Sequence, residues 1–363
     1  IFPIPLAEAA SWNLDLIEHS AQIAAKESTA AGIHFNFAPM CDISRDARWG
    51  RVAEGAGEDP YLGGLIAERR VKGFQGDDLS QPNTMAACVK HWAAYGAPEG
   101  GRDYQSVDMS EHLFRSTYLP PYIKALEAGA ATVMTAFHDF NGVPCTANDW
   151  LLKNLLRQEL AFDGVVVSDW GSIAEVSAHG AAEDEADAAF KAFEAGTDLD
   201  MMSEGYLKYL IPAIQSGNVK EEALDEVVYR ILKLKYDLGL FDDPMKYGSR
   251  EREKTELKSK EHLSVAREMA QQSFVLLKNE GSILPLKKDL KVALIGPLAD
   301  NAPDMNGTWS FFAEPDDPVT IKQGLEAAGM QVQFAQGCEL YHATTRHFPT
   351  AKETAEQSDV VVM

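Results

Sequence analysis

The chain has 363 residues, 45% of them hydrophobic. That is too long for one typical domain, and long enough to bury a large core without a metal or disulfide. Its 55 acidic and 33 basic residues leave a net charge of -22, which repels phosphate backbones and argues against a nucleic-acid partner.

In chain order, the first 240 residues alternate short apolar runs with longer helical patterns. Residues 33–38 (IHFNFA), 85–89 (MAACV), 132–136 (TVMTA), 165–168 (VVVS) and 198–201 (DLDM) read as strands. A helix is predicted from an N-cap at Ser11 to about Ala31, with Gly32 as its stop. Others follow Pro60, Ser110 and the cap Asn148, and one ends at Ala195 before Gly196. Alternation of this kind argues for a parallel sheet, and length favours a barrel over an open sheet. Only five strands are visible against the eight of a full barrel.

Residues 221–240 carry apolar positions at helical spacing, and 242–260 are charged and turn-rich. A helix near 262–272, an apolar run at 274–277, and strands at 292–295, 331–334 and 359–363 read as a second α/β unit. The expected division is 1–240, a linker at 241–265, and 266–363. The chain opens on Ile1 inside an apolar segment and stops inside a strand pattern, so both ends read as cut. No run of about 18 apolar residues is present, so no helix is expected to span a membrane.

Cys41, Cys88, Cys145 and Cys338 are widely spaced and read as four buried free thiols. No His/Cys cluster has metal-ligand spacing, and neither a dinucleotide fingerprint nor a P-loop is present, so no metal and no cofactor is expected.

Three segments carry candidate chemistry. Residues 162–171 (FDGVVVSDWG) end a buried strand on Asp169 and Trp170. A carboxylate beside an indole at the C-terminal end of a barrel strand suits sugar chemistry. Equally, Asp169 could cap a helix starting at Ser172. Lys90 and His91 end another strand, where neither belongs without partners. They read as donors to sugar hydroxyls, or as a structural salt bridge and a core histidine. Residues 37–59 are dense in Asp, Arg and Glu, and either Arg48 or Arg51 could reach a site while the rest form an ion-pair web. Arg102 and Asp103, in the loop 96–103, are weaker candidates.

Phe2-Pro3-Ile4-Pro5, Arg48-Trp49-Gly50-Arg51 with Gly57-Glu58-Asp59-Pro60, Lys90-His91, Ser168-Asp169-Trp170, Leu238-Gly239-Leu240-Phe241 and Val275-Leu276-Leu277-Lys278-Asn279 follow one another along the chain. In that order they resemble glycoside hydrolase family 3, over nearly the whole chain and nearest to its bacterial periplasmic β-glucosidases. The resemblance implies an α/β fold: a (β/α)8-like TIM barrel, N-terminally truncated, followed by a partial α/β sandwich domain.

It also implies a retaining, exo-acting β-glycosidase that releases terminal β-D-glucosyl residues through a covalent intermediate on Asp169. Arg51, Lys90 and His91 would hold sugar hydroxyls, Trp170 would line the sugar site, and Met134 stands where the family often has a site-lining Met. The family's acid/base Glu is expected beyond Met363, and a sugar-binding Asp before Ile1. His138 stands where close relatives usually carry Asn. The expected partner is a β-glucoside or short oligosaccharide, with no nucleic acid and no membrane. A homodimer is compatible with the sequence, and the expected location is periplasmic or extracellular. β-Xylosidase or exo-glucanase action, or a sugar-binding fragment without catalysis, are the alternatives.

Overall fold

The computed structural model describes residues 2–307, 309–310, 313–315 and 317–363. It divides into two compact units, Phe2–Phe274 and Val275–Met363.

The first unit begins with α1 (Pro5–Ala10) and α2 (Leu14–Ala30). Asn13 rather than Ser11 caps α2, its side chain accepting from Leu16 N at 3.0 Å. The Ser11 hydroxyl turns back and donates to the Glu8 carbonyl, closing α1 instead. α3 (Pro60–Gln75) starts on the Asp59 cap with Pro60 in its first turn, where a missing N–H costs nothing. Then come β1 (Cys88–Trp92), the turn α4 (Glu111–Leu113) capped by Ser110, and α5 (Pro120–Glu127). β2 (Thr132–Thr135), the small hairpin β3 (Asp139–Phe140) and β4 (Val143–Pro144), a π-wound helix Trp150–Glu159 and β5 (Val165–Val167) follow. After them lie α6 (Ser172–Ala178), α7 (Glu185–Ala195), α8 (Ile211–Gln215), α9 (Glu221–Asp237), α10 (Arg250–Glu256) and α11 (Lys260–Gln272).

β1, β2 and β5 pair in parallel in that order, with Cys88 opposite Thr132 and Thr132 opposite Val165. The stretch through Phe35 and Met40 bridges to Ala86 and Lys90 beyond β1. Beyond β5, Ser168 N donates to the Leu199 carbonyl at 2.9 Å. All five expected strand segments therefore lie side by side in sequence order. This singly wound order is that of a barrel wall, whereas a doubly wound sheet reverses direction part-way.

Strand periodicity sorts the side chains. Val89, Val133 and Val166 face outward and pack with Val71, Phe74, Tyr122, Leu152 and Leu156 of the surrounding helices. Cys88, Met134 and Val167 face inward, against Phe35, Leu199 and Met201. Asp198 ties the wall together from outside, accepting from Val166 N at 2.8 Å, Arg157 at 2.7 Å and Arg230 at 2.8 Å.

Residues 241–265 are not an open connection. Arg252 of α10 donates to the Thr29 hydroxyl and to the Pro82 carbonyl. His262 of α11 lies 2.6 Å from Glu27. The turn-like composition there reflects two serine caps, Ser249 and Ser259, and the solvated faces of two short helices.

In the second unit, β6 (Lys291–Ile295) is central between β7 (Gln331–Ala335) and β8 (Val360–Val362), all parallel. α12 (Ile321–Ala327), which opens on a Thr320–Gln323 capping box, and α13 (Phe348–Glu356) provide the crossovers.

α2 and α3 cross at Gly73, where an added Cβ would stand 2.5 Å from the Glu18 carbonyl oxygen and 2.6 Å from the Ala21 Cβ. Gly73→Ala is expected to force the helices apart and to cost about 1–3 kcal/mol despite alanine's better helix propensity. Thermal melts of the two proteins check this, and an unchanged or raised Tm would show that the crossing yields freely.

Candidate active site

Inward-facing positions continue up the strands past Cys88 and Val167 to Lys90 and Asp169. Asp169 follows β5 by two residues, at the C-terminal end of the parallel wall. Its backbone turns sharply there, and its own Oδ1 accepts from Trp170 N at 2.7 Å. α6 is capped by Gly171 in the left-handed region at φ 72°, so the Asp169 carboxylate is not spent on a helix cap.

His91 is buried at the end of β1, and its Nε2 lies 3.4 Å from Asp169 Oδ2. Arg51 Nη2 lies 3.1 Å from the same Nε2. The Arg51 fork is itself held by Glu54, through Nε at 2.7 Å and Nη2 at 2.9 Å. Burial pushes the Glu54 carboxyl up, but the Arg51 hydrogen bond and charge overcome it and leave it below its ordinary value. Lys90 is largely buried, and burial together with the Arg51 charge lowers its pKa. Its ammonium has no hydrogen-bond or ion-pair partner among the described residues, and Glu54 and Asp169 are its nearby counter-charges.

Beneath this group lies Asp42, sealed from water. Its Oδ2 accepts from His91 N at 2.9 Å and faces His91 Nδ1 at 2.8 Å. Its Oδ1 accepts from Tyr95 N at 2.9 Å and from the Tyr122 hydroxyl at 2.6 Å. Burial pushes its pKa up, but the His91 and Tyr122 contacts outweigh burial and hold the carboxyl below its ordinary value. Burial lowers the His91 pKa; Asp42 opposes this, yet Lys90 and Arg51 help keep it below the usual histidine value. Tyr95 backs the imidazole edge-on, with ring centroids 5.2 Å apart, and takes the Arg51 guanidinium over its face at 5.6 Å.

A carboxylate, an imidazole, a guanidinium and an ammonium thus converge at the mouth of a parallel wall, with Trp170, 62% exposed, beside them. That arrangement offers a nucleophile among donors for a ring of hydroxyls and an indole for an apolar sugar face. Residues 1–234 match the profile of the glycosyl hydrolase family 3 N terminal domain, and residues 274–363 match that of the family's C-terminal domain.

The chain belongs to glycoside hydrolase family 3. It is 41% identical to a periplasmic β-glucosidase of Salmonella typhimurium, across the whole chain and 51% of that protein. It is 35% identical to a β-xylosidase of Formosa agariphila, again across the whole chain and 53% of that protein. The structure superposes on a Listeria innocua β-glucosidase in complex with gluconolactone with a TM-score of 0.93 and 43% identity, covering all of this chain and 50% of that one. The chain therefore spans about half the length of the relatives it matches.

Within this family 3 chain, the expected residues fall into three groups. Asp169, Lys90, His91 and Arg51 come together, with Trp170 at their edge. Met134 is on the inward face one layer down, packed with Cys88 and Val167 and closed to solvent. Arg48 points away, exposed and paired with Asp46 at 2.6 Å. Arg102 is exposed, and Asp103 accepts from Trp49 Nε1 at 2.9 Å. Of the four cysteines expected to be buried, Cys338 is exposed in the second unit, while Cys41, Cys88 and Cys145 are buried free thiols.

Asp42 and Glu54 lie in the stretch 37–59 read as an ion-pair web but were not singled out, and Tyr95 and Tyr122 went unmarked. Glu54 alone had a local signal, its three-residue spacing from Arg51 in a turn.

His138 is fully buried and stacks on Tyr95, with centroids 5.1 Å apart and planes 2° from parallel. Its Nε2 lies 3.6 Å from Cys145 Sγ, and its Nδ1 has no partner among the described residues. Burial pushes its pKa down to about 4. Unfolded histidine titrates near 6.5, so between these values the unfolded chain binds a proton that the folded chain refuses. Stability therefore falls as pH drops from about 6.5 to about 4, by up to about 3 kcal/mol from this group, with no further loss below. His138→Asn is expected to flatten that limb in thermal melts between pH 4 and 7.5. Parallel limbs in the two proteins would show that His138 takes up its proton without cost.

Proposed function

We propose that this chain is the nucleophile-bearing part of a retaining, exo-acting β-glycosidase that acts on terminal β-D-glucosyl residues. The observation that carries the reading is the convergence of Asp169, His91, Arg51 and Lys90 at the C-terminal mouth of one parallel wall. Asp169 attacks the anomeric carbon and forms a covalent glycosyl ester, and water then cleaves the ester with net retention. Arg51, with its fork fixed by Glu54, and the Lys90 ammonium, which has no partner among the described residues, donate to sugar hydroxyls. Trp170 offers its exposed ring to the apolar face of the sugar. Buried donors fixed before the substrate arrives lose little on reorganising, which is where electrostatic stabilisation of an oxocarbenium-like transition state is most effective.

The leaving oxygen needs a proton, and by family resemblance the acid belongs to a part of the protein beyond Met363. Whole relatives named β-glucosidase lead us to a glucoside substrate and, from the Salmonella protein's name, to a periplasmic or extracellular setting. β-Xylosidase action is the second reading, favoured by the whole-chain match to the Formosa protein.

In the complete enzyme, Asp169→Asn is expected to lower kcat on aryl β-glucosides about 10³-fold or more, which corresponds to roughly 4 kcal/mol of transition-state stabilisation. A 2-fluoro-glucoside with a dinitrophenolate leaving group should leave a glycosyl adduct whose mass maps to Asp169. Turnover of a folded variant near the parent rate, or an adduct on another carboxylate, would sink the assignment. Rates on glucoside and xyloside substrates decide between the two sugars.

A further inference from the structure

Asp42 is a buried carboxylate whose two oxygens each face two hydrogen-bonding groups. The four groups are His91 N, His91 Nδ1, Tyr95 N and the Tyr122 hydroxyl. An ionised carboxylate has only acceptors to offer, so the imidazole nitrogen facing it must carry a hydrogen. Neutral imidazole has one N–H, and placing it on Nδ1 leaves Nε2 as a bare lone pair. That lone pair is matched by Arg51 Nη2, a donor that is never deprotonated, at 3.1 Å. The groups on both sides of the ring therefore demand the same tautomer.

The consequence falls on Asp169. Its Oδ2 lies 3.4 Å from Nε2, close enough to be hydrogen-bonded if that nitrogen carried a proton. With a lone pair there instead, the imidazole donates nothing to the carboxylate. We propose that Asp42 is a positioning residue that locks His91 in its Nδ1–H tautomer, so that Asp169 Oδ2 keeps its lone pair for the sugar carbon. This rests on reading Asp169 as the nucleophile. In Asp42→Asn, one acceptor oxygen becomes an NH2 among four donors. An NH2 in the Oδ2 place faces Nδ1 and moves the ring proton to Nε2, at the cost of opposing the His91 backbone N–H with a second donor. His91 then opposes Arg51 with a donor and hydrogen-bonds Asp169, lowering its nucleophilicity. A buried carboxylate beside a catalytic-site histidine has this orienting role in other enzymes, where the Asp→Asn change leaves the wrong tautomer.

The test uses the complete enzyme labelled with ¹⁵N-histidine, with the His91 ring signals assigned by their loss in His91→Gln. The wild type is expected to show a protonated Nδ1 and a bare Nε2, and Asp42→Asn the reverse. The second readout is the rate at which a 2-fluoro-glucosyl dinitrophenolate glycosylates Asp169. In that step the Oδ–C1 bond forms while the C1–O bond breaks, and dinitrophenolate leaves with the electron pair, so no acid is needed. The rate is expected to fall about 10²-fold or more in Asp42→Asn, with binding of the unreacted sugar changed far less.

A protonated Nε2 in the wild type, or an unchanged glycosylation rate in Asp42→Asn, would overturn the proposal. If Asp42→Asn does not fold, the wild-type tautomer still decides. If the wild type shows the Nδ1–H tautomer but its adduct forms elsewhere, the nucleophile assignment fails and the tautomer lock stands.

Discussion

Everything at the mouth of the barrel wall is built around a negative charge that water cannot reach. Burying an ionised carboxylate is expensive unless its lone pairs are met, and Asp42 meets that condition with donors from three separate stretches of chain. The backbone of β1, the loop at Tyr95 and the side chain of α5 are fixed to one another because each supplies a donor to the same carboxylate. The Tyr122 hydroxyl also accepts from Ala94 N at 3.3 Å, so it extends the tie along the backbone. Losing one donor leaves an unmet buried charge, and the penalty is felt at all three stretches.

Above this node the neutral His91 ring separates Asp42 from Arg51, and Glu54 pairs with the guanidinium on its far side. Lys90 stands apart as the ammonium without a partner of its own among the described residues. Its burial and the neighbouring guanidinium make it an uncomfortable cation. Geometry in the site thus comes from groups whose hydrogen bonds are met by one another. Arg51 is part of that geometry, since Glu54 fixes its fork while Nη2 reaches His91.

How much of this was legible in the sequence follows from the reach of each signal. Strand-end residues such as Lys90, His91 and Asp169 announce themselves by a local conflict between an apolar run and a charged terminus. A parallel sheet was legible in the alternation of strands and helices, whereas strand order was not, since that alternation suits an open sheet as well as a barrel. Asp42 was not legible either, since its donors lie 49, 53 and 80 residues away. Nor could composition show that Met134 lies closed beneath the site, because that depends on which face β2 presents. Residues 241–265 misled for a related reason: short helices capped by serine and washed by solvent have the composition of a linker, and only their contacts with α2 distinguish them.

The sequential order of the wall has a consequence for how the chain acquires its shape. Each of these five strand segments lies beside the one just before it, so none of these pairings has to wait for a distant segment. A ribosome delivering the chain from its N-terminus can add one strand and one covering helix at a time, each new layer shielding the apolar edge of the last. The inward-facing residues of the mouth are then brought into register in turn: Asp42 first, His91 next, and Asp169 last, into surroundings already laid down.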